Sequence, residues 1–490
     1  MVLLKVLSHI QKPINNHNKS ILFQMKRVIM ILGTFFFGSM FVTQAKEKAK
    51  NNKPNILILL ADDLGFGDVG YNGSEIKTPN IDRIASEGVR LNQFYACPMC
   101  SPSRAGLMTG RYPLRFGLMR SVIPPHRDFG LSVNEETIAD ALGKAGYNYR
   151  GIVGKWHLGH RRQEWLPTNR GFTYYEGCLN GDADYFNRNR DGELDWHINN
   201  TPSRKEGYTT DLIGEAAIGF IKSVPQDEPF FLYVPFTAPH APFQAKPEDI
   251  EKYPQREGLK KIYAGMVDCM DQNIGKILKS IEERGQLDNT FILFFSDNGG
   301  VLKVASNGEL RGAKLTPYQG GIRVVAAARW PAEGIIGGKV IEERMGYIDV
   351  FPTLMAIANY KGAPKNKLDG INILPAINGK KLKDRSWFTY EDQTDAKIED
   401  LAVNNNQWKL VVKRGAPDTN NFPITNQLFR IATDPYEKVD LSAQEPGKVK
   451  ELMKELNRFY GWKADHQIPR YSEKDNYPGP VLIPNWQPEK

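Results

Sequence analysis

Cysteine is scarce, at four residues in 490, which excludes a small protein held together by a disulfide framework. Only Cys97 and Cys100 have CxxC spacing. Cys178 and Cys269 stand alone, so a zinc site lacks its second pair and a thioredoxin-like centre lacks its fold pattern. Cys97, Cys178 and Cys269 therefore read as plain buried thiols. No repeat recurs at a fixed spacing, which argues against solenoids and propellers. Acidic residues are missing from positions 1–45, where Lys5, Lys12, Lys19, Lys26 and Arg27 supply five of the positive charges. Without those five, the formal +8 becomes +3, weak grounds for nucleic-acid binding. What is present is an ordinary globular composition, 41% hydrophobic and 24% charged. The length fits two or three domains, or one large α/β domain with an appendage, and can bury a sizeable core.

The first 45 residues have the pattern of an export signal. Met25-Lys26-Arg27 is a basic start, Val28 to Val42 an apolar stretch, and Thr43-Gln44-Ala45 a small-residue cleavage site. The first 24 residues are surplus to this pattern, which allows a start at Met25, and the mature chain is expected to begin near Lys46. The apolar stretch is shorter than the ~20 residues that span a bilayer, so no stable membrane span is expected. No cysteine follows it to carry a lipid. Export to the periplasm, or secretion, is the expectation.

Beyond a polar lead-in, apolar runs alternate with amphipathic ones. Strands are expected at 55–60, 149–153, 230–236, 290–295 and 323–328, and helices at 80–87, 135–144, 210–223 and 260–283. Such alternation implies an α/β fold with a large, mostly parallel sheet flanked by helices. The catalytic domain is placed at 46–379. Short strands at 386–391, 401–404, 408–412 and 427–431 and a helix at 448–460 give residues 380–490 the texture of a small α+β subdomain with an antiparallel sheet. The Pro- and Asp/Asn-rich tail after Trp462 is expected to dock as coil.

In parallel α/β sheets, ligands bind at the carboxyl ends of the strands. Four expected strand ends carry reactive side chains: Asp62-Asp63, then Lys155 and His157, then His240, and Asp297-Asn298. One such end is commonly a turn or helix cap; four together point to a site. Neighbouring carboxylates need a cation to stay ionised. An oxygen set of three Asp and one Asn suits Ca²⁺ or Mg²⁺ better than zinc. Cys100 has its own setting. Pro102 suits a first helical turn and Gly110 a C-terminal stop, so Cys100 opens a short helix whose N-terminus favours an anion, with Arg104 one turn on.

Cys100-x-Pro102-x-Arg104, continued as Ala-Gly-Leu-Met-Thr-Gly-Arg111, resembles the signature of the formylglycine-dependent sulfatases. Asp62-Asp63-Leu-Gly-Phe-Gly-Asp68, Gly154-Lys155-Trp156-His157, Ala238-Pro239-His240, Ser296-Asp297-Asn298-Gly-Gly and Arg311-Gly-Ala-Lys314 resemble further family blocks, in order over about 54–460. Gln319 stands where Glu is usual and Val325 where Pro is common. Leu166-Pro-Thr-Asn-Arg-Gly-Phe172 and Asp184-Tyr185 look most like the arylsulfatase B branch, which acts on 4-sulfates of galactose-type sugars.

The resemblance implies the alkaline-phosphatase-like fold and a sulfuric ester hydrolase. It implies oxidation of Cys100 to formylglycine (3-oxoalanine) by a maturation enzyme. One Ca²⁺ would be held by Asp62, Asp63, Asp297, Asn298 and the modified Cys100. Arg104, Lys155 and Lys314 would hold the aldehyde hydrate and the sulfate oxygens. His157 is the implied base that lets sulfate leave, and His240 the proton donor to the departing alcohol. The implied substrate is a sulfated oligo- or polysaccharide such as carrageenan, ulvan or a glycosaminoglycan. The segments Arg161-Arg162, Asp182–Arg190 and His197 are candidates for gripping it, while His126, His160 and His466 read as loop residues. Two alternatives stand beside this reading: a phosphate or phosphonate ester hydrolase of the same fold, and a non-catalytic carbohydrate-binding relative.

Overall fold

The computed structural model describes residues 53–393, 397–415 and 424–473. The expected export signal and the end of the tail lie outside the described residues. The main sheet has ten strands: β1 (Asn55–Ala61), β2 (Val89–Leu91), β3 (Tyr149–Val153), β4 (Tyr174–Gly177), β5 (His197–Ile198), β6 (Thr201–Pro202), β7 (Phe230–Pro235), β8 (Thr290–Ser296), β9 (Ala326–Arg329) and β10 (Lys339–Ile341). Their order is β10-β2-β9-β8-β1-β7-β3-β4-β5-β6. The central run β8, β1, β7, β3, β4 is parallel, and β9 and β5 attach antiparallel on either side.

The apolar runs form central strands because both faces of the sheet are covered. Side chains alternate between two cores. Ile56, Ile58, Leu60, Phe231, Tyr233, Leu293 and Phe295 pack into one. Leu57, Leu59, Leu232, Val234, Ile292 and Phe294 pack into the other. The second core is closed by helices α1 (Pro79–Glu87), α4 (Thr209–Ser223) and α5 (Gly258–Glu283). The first is closed by α2 (Cys100–Thr109), α3 (Ile138–Lys144) and α6 (Val350–Ile357). α2 ends as its sequence requires, with Gly110 in the left-handed region at φ 66°. Within it, Gly106 has no room for a Cβ, which would sit 2.0 Å from the Tyr347 ring.

Three expectations need correction. The single strand expected at 323–328 is two strands in different sheets. Arg323–Val324 pairs with Phe94–Tyr95, and only Ala326–Arg329 joins the main sheet. The helix expected at 135–144 starts at Ile138, because Thr137 and Asp140 form a reciprocal cap there. His197 is no surface residue; it lies in β5 at 2% exposure, which removes it from the glycan-gripping candidates.

The C-terminal strands β11 (Trp387–Glu391), β12 (Ile398–Asn404), β13 (Lys409–Gly415) and β14 (Thr425–Phe429) form an antiparallel sheet in that order, backed by α7 (Pro446–Tyr460). This sheet shares the first core: Leu401, Leu410 and Phe459 cluster with residues of α2 and the main sheet. The joint is aromatic. Phe459 stacks on Phe388 at 4.3 Å and meets Tyr112 edge-on at 5.3 Å. Replacing fully buried Phe459 by Ala should cost about 3–5 kcal/mol of stability in urea unfolding. Fluorescence and circular dichroism should report one shared transition; two separate transitions would contradict a common core.

Candidate functional site

The parallel pairing continues one or two residues past the strands and so sets the side chains in register. Beyond β1, the Asp62 amide donates to Ala238 O at 3.1 Å. Beyond β8, the Asp297 amide donates to Ala61 O at 3.0 Å, and beyond β3 the Lys155 amide donates to Pro235 O at 2.8 Å. Asp63 and His157 adopt left-handed φ of 69° and 55°, a sparsely populated region for such residues that turns both side chains out of the strand direction. Cys100 opens α2 with no side chain capping the helix, and lies 3% exposed among these strand ends.

The site is a buried lattice of alternating charge. Arg104 donates from Nε and Nη2 to Asp297 Oδ2 at 3.0 and 2.8 Å, from Nη1 to Lys155 O at 2.8 Å, and meets Asp62 at 3.3 Å. Lys155 Nζ binds Asp62 Oδ2. Lys314 Nζ lies 2.7 Å from Asp63 Oδ1, and Asn298 Nδ2 donates to the same oxygen at 2.7 Å. His240 Nε2 stands 3.6 Å from Asp63 Oδ2. Lys314 and His240 are the partly open members, at 13% and 15% side-chain exposure, and mark the mouth.

The ten expected site positions lie together, with His157 turned toward the edge of the cluster. Its Nε2 lies 3.0 Å from Ile123 O, so the ring donates there and leaves Nδ1 as a buried lone pair without a protein partner among the described residues. Ser101, next to Cys100, donates to His157 O at 3.0 Å. Arg104 also differs in detail from the expected role, since its guanidinium is committed to the carboxylates rather than open to an anion.

Burial and charge pull the groups apart. Burial would raise the Asp62 and Asp63 acids, but Lys155 beside one and Lys314 beside the other hold both low. Burial and the Asp62 charge push Asp297 up to about 7, against Arg104 and Lys155. Burial, then Lys314, brings His240 down to about 4, and burial with Lys155 and Arg104 takes His157 well below its ordinary value. Burial also raises the Cys100 thiol, although Lys155 and Lys314 oppose it.

The donor set fits a hard divalent cation. Asp62 Oδ1 and Asn298 Oδ1 are buried acceptors with no hydrogen-bond partner among the described residues. Asp62, Asp63 and His240 also bring ligand atoms within 4.8 Å of one another. Three cationic side chains already balance three carboxylates, so a divalent ion would leave two positive charges facing the mouth.

The sequence did not show which residues support the site. Tyr185 donates to Thr237 O at 2.7 Å and to His240 O at 2.9 Å, bracing the His240 turn. Glu437 Oε2 accepts from the Gln319 amide at 2.8 Å, close to the Lys314 loop. Asp184-Tyr185 was a legible pair; Glu437 has no local signal. Two of the glycan-gripping candidates already have partners: exposed Arg162 pairs with Asp128 at 2.8 Å, and Arg190 with Asp182. His160 lies in a loop, as expected, but is 1% exposed and stands 2.8 Å from Pro125 O.

An α/β sheet with such a charge-lined cleft at its carboxyl edge suits the binding of a tetrahedral oxyanion ester. Residues 54–360 match the family model described as Sulfatase, and the chain belongs to that family as a sulfuric ester hydrolase. It is similar to arylsulfatase J of Mus musculus, 32% identical across 89% of this chain and 80% of the relative. It is 36% identical to N-acetylgalactosamine-6-sulfatase of Homo sapiens, over 70% of this chain and 69% of the relative. The solved structure of Ps i-CgsB in complex with k-i-k-neocarrahexaose superposes with a TM-score of 0.78 at 33% identity, covering 86% of this chain and 95% of that one. Other sulfatase structures share the fold.

A cation must displace the Asp297 proton wherever that acid is still protonated. Calcium affinity by calorimetry should therefore weaken about tenfold per pH unit below 7 and level off above it. Asp297→Asn should remove the slope; a slope that persists in the variant would contradict this.

Proposed function

We propose that this sulfatase removes sulfate from a sulfated oligo- or polysaccharide, with Cys100 as the precursor of formylglycine and Ca²⁺ as the metal. The observation that carries the reading is Cys100 at the head of α2, within the fields of Lys155, Lys314, Asp62 and Asp297. A carbohydrate substrate is supported by the names of the relatives, one a N-acetylgalactosamine-6-sulfatase and one solved with a neocarrahexaose. Carrageenan, ulvan and glycosaminoglycan fragments are the substrates to try. Residues 1–45 support export to the periplasm or beyond, which would require a maturation enzyme to reach Cys100.

Asp62, Asp63, Asp297 and Asn298 would hold the metal with residue 100 as a further ligand. The aldehyde hydrate and the metal would together supply an activated oxygen nucleophile whose carbonyl can be regenerated. Lys314, at the mouth, would take a sulfate oxygen, with Lys155 and Arg104 fixing the carboxylates behind it. His240 donates from Nδ1 to Ala241 O at 2.6 Å, so Nε2 is the atom presented to the site. An anionic sulfate ester would raise this ring above its value of about 4 and charge it as proton donor to the leaving oxygen. His157 keeps its Nδ1 lone pair for proton removal.

Peptide mass spectrometry of active protein should place the thiol-to-aldehyde conversion at Cys100 and leave Cys97 intact. Full activity of Cys100→Ala would overturn the assignment. The histidines should fail differently. His240→Ala should lose about 10²–10⁴-fold on sugar sulfates and much less on an activated aryl sulfate, which needs little protonation. His157→Ala should give one turnover and then stall with sulfate on residue 100, seen by intact mass. If His240→Ala instead weakens calcium binding, the imidazole is a metal ligand, a second reading that its closeness to Asp62 and Asp63 favours.

A further inference from the structure

A cavity of about 580 Å³ lies between the main sheet and the turn that follows β14, and no residue of the catalytic cluster lines it. Its place is set by topology. β2 runs parallel to β8, because β9 is antiparallel to both, so Asn92 and Gln93 leave the sheet at the edge that carries Asp297. Arg323, ahead of antiparallel β9, returns to the same edge, and Phe66 follows Asp63 by three residues. β2 is three strand spacings from β1, which puts the cavity roughly 14 Å to the side of Asp62.

Its wall is preset for polar ligands. Arg323 donates from Nε to Asn92 O at 2.8 Å and from Nη2 to Asn92 Oδ1 at 3.1 Å, and its guanidinium lies 5.2 Å from the Phe66 ring centre. Arg344 is 6% exposed, binds Asn405 O, donates to Gln93 Oε1 at 3.3 Å and lies over Tyr95 at 5.2 Å. Its Nε is buried with no partner, and neither arginine pairs with a carboxylate among the described residues. Two carboxylates share the wall: Glu342 is exposed and accepts from Asn92 Nδ2 on the same wall at 2.8 and 2.9 Å, and Glu309 is exposed, 3.6 Å from Lys438. Tyr436 adds a half-buried ring.

We infer that this cavity binds a further pyranose unit of the glycan whose sulfate enters the catalytic cluster. The inference rests on the carbohydrate reading and deepens it, since it makes a chain of several sugars, rather than a single sugar, the preferred substrate. Arg323, whose Nε and Nη2 are held by Asn92, keeps Nη1 for a hydroxyl or a sulfate oxygen, and an aromatic ring suits the apolar face of a pyranose.

Ala432 sits exposed on the rim, so Ala432→Trp fills the cavity without deleting a contact; Tyr436→Ala removes the ring. Both are assayed on 4-nitrophenyl sulfate and on disaccharides and hexasaccharides of iota-carrageenan and chondroitin sulfate. The ratio of kcat/KM for hexasaccharide to that for 4-nitrophenyl sulfate should fall about tenfold or more in each variant, chiefly through KM, with the disaccharide ratio unchanged. An unchanged hexasaccharide ratio, or an equal fall on all substrates, overturns the subsite. Unaltered protein that turns over the aryl sulfate and none of the glycans overturns the carbohydrate reading itself, and the subsite with it.

Discussion

Three carboxylates buried at the ends of two neighbouring strands cannot stay ionised unless cations surround them, and the site is arranged around that constraint. Arg104, Lys155 and Lys314 come from three different parts of the chain to meet it. Each is held by the fold: Arg104 by a helix with no space for a Cβ at Gly106, Lys155 by backbone pairing beyond β3. The balance is close, since Asp297 remains poised near neutrality while Asp62 and Asp63 are held low. Any added divalent charge therefore tips the cleft toward an anionic ester.

The C-terminal sheet serves the same cluster from outside. Glu437 receives the Gln319 amide, its carbonyl accepts from Arg311 Nη1 at 3.0 Å, and Lys409 meets Glu437 at 2.6 Å with both side chains fully buried. These contacts clamp residues 311–321, the segment that carries Lys314. A buried ion pair is costly to break once formed, so the clamp is rigid. Gln319, which replaces the usual acid, is used here as an acceptor for Tyr95 Oη at 3.1 Å and stays out of the ionic cluster.

Much of this was legible because the signals are local. The runs 55–60, 230–236 and 290–295 read as buried strands, and residues directly after a strand must fall at one edge of a parallel sheet. α2 was legible from Pro102 and Gly110. Other features lacked a local signal. α6 is apolar on most of its surface, so it shows no amphipathic period. Residues 323–328 read as one strand because a chain that changes sheets keeps the same apolar texture. Lys409 and Glu437 look like solvated charges until the fold buries them together. Arg162 and Arg190 look like free cations until Asp128 and Asp182 appear beside them.

The central claim is that this cleft acts on sulfate esters. It is tested most directly by comparing 4-nitrophenyl sulfate with 4-nitrophenyl phosphate on the same calcium-loaded protein. The account predicts that kcat/KM for the sulfate exceeds that for the phosphate by orders of magnitude, and that chelation abolishes it. Faster turnover of the phosphate, or sulfate turnover that survives chelation, would contradict it.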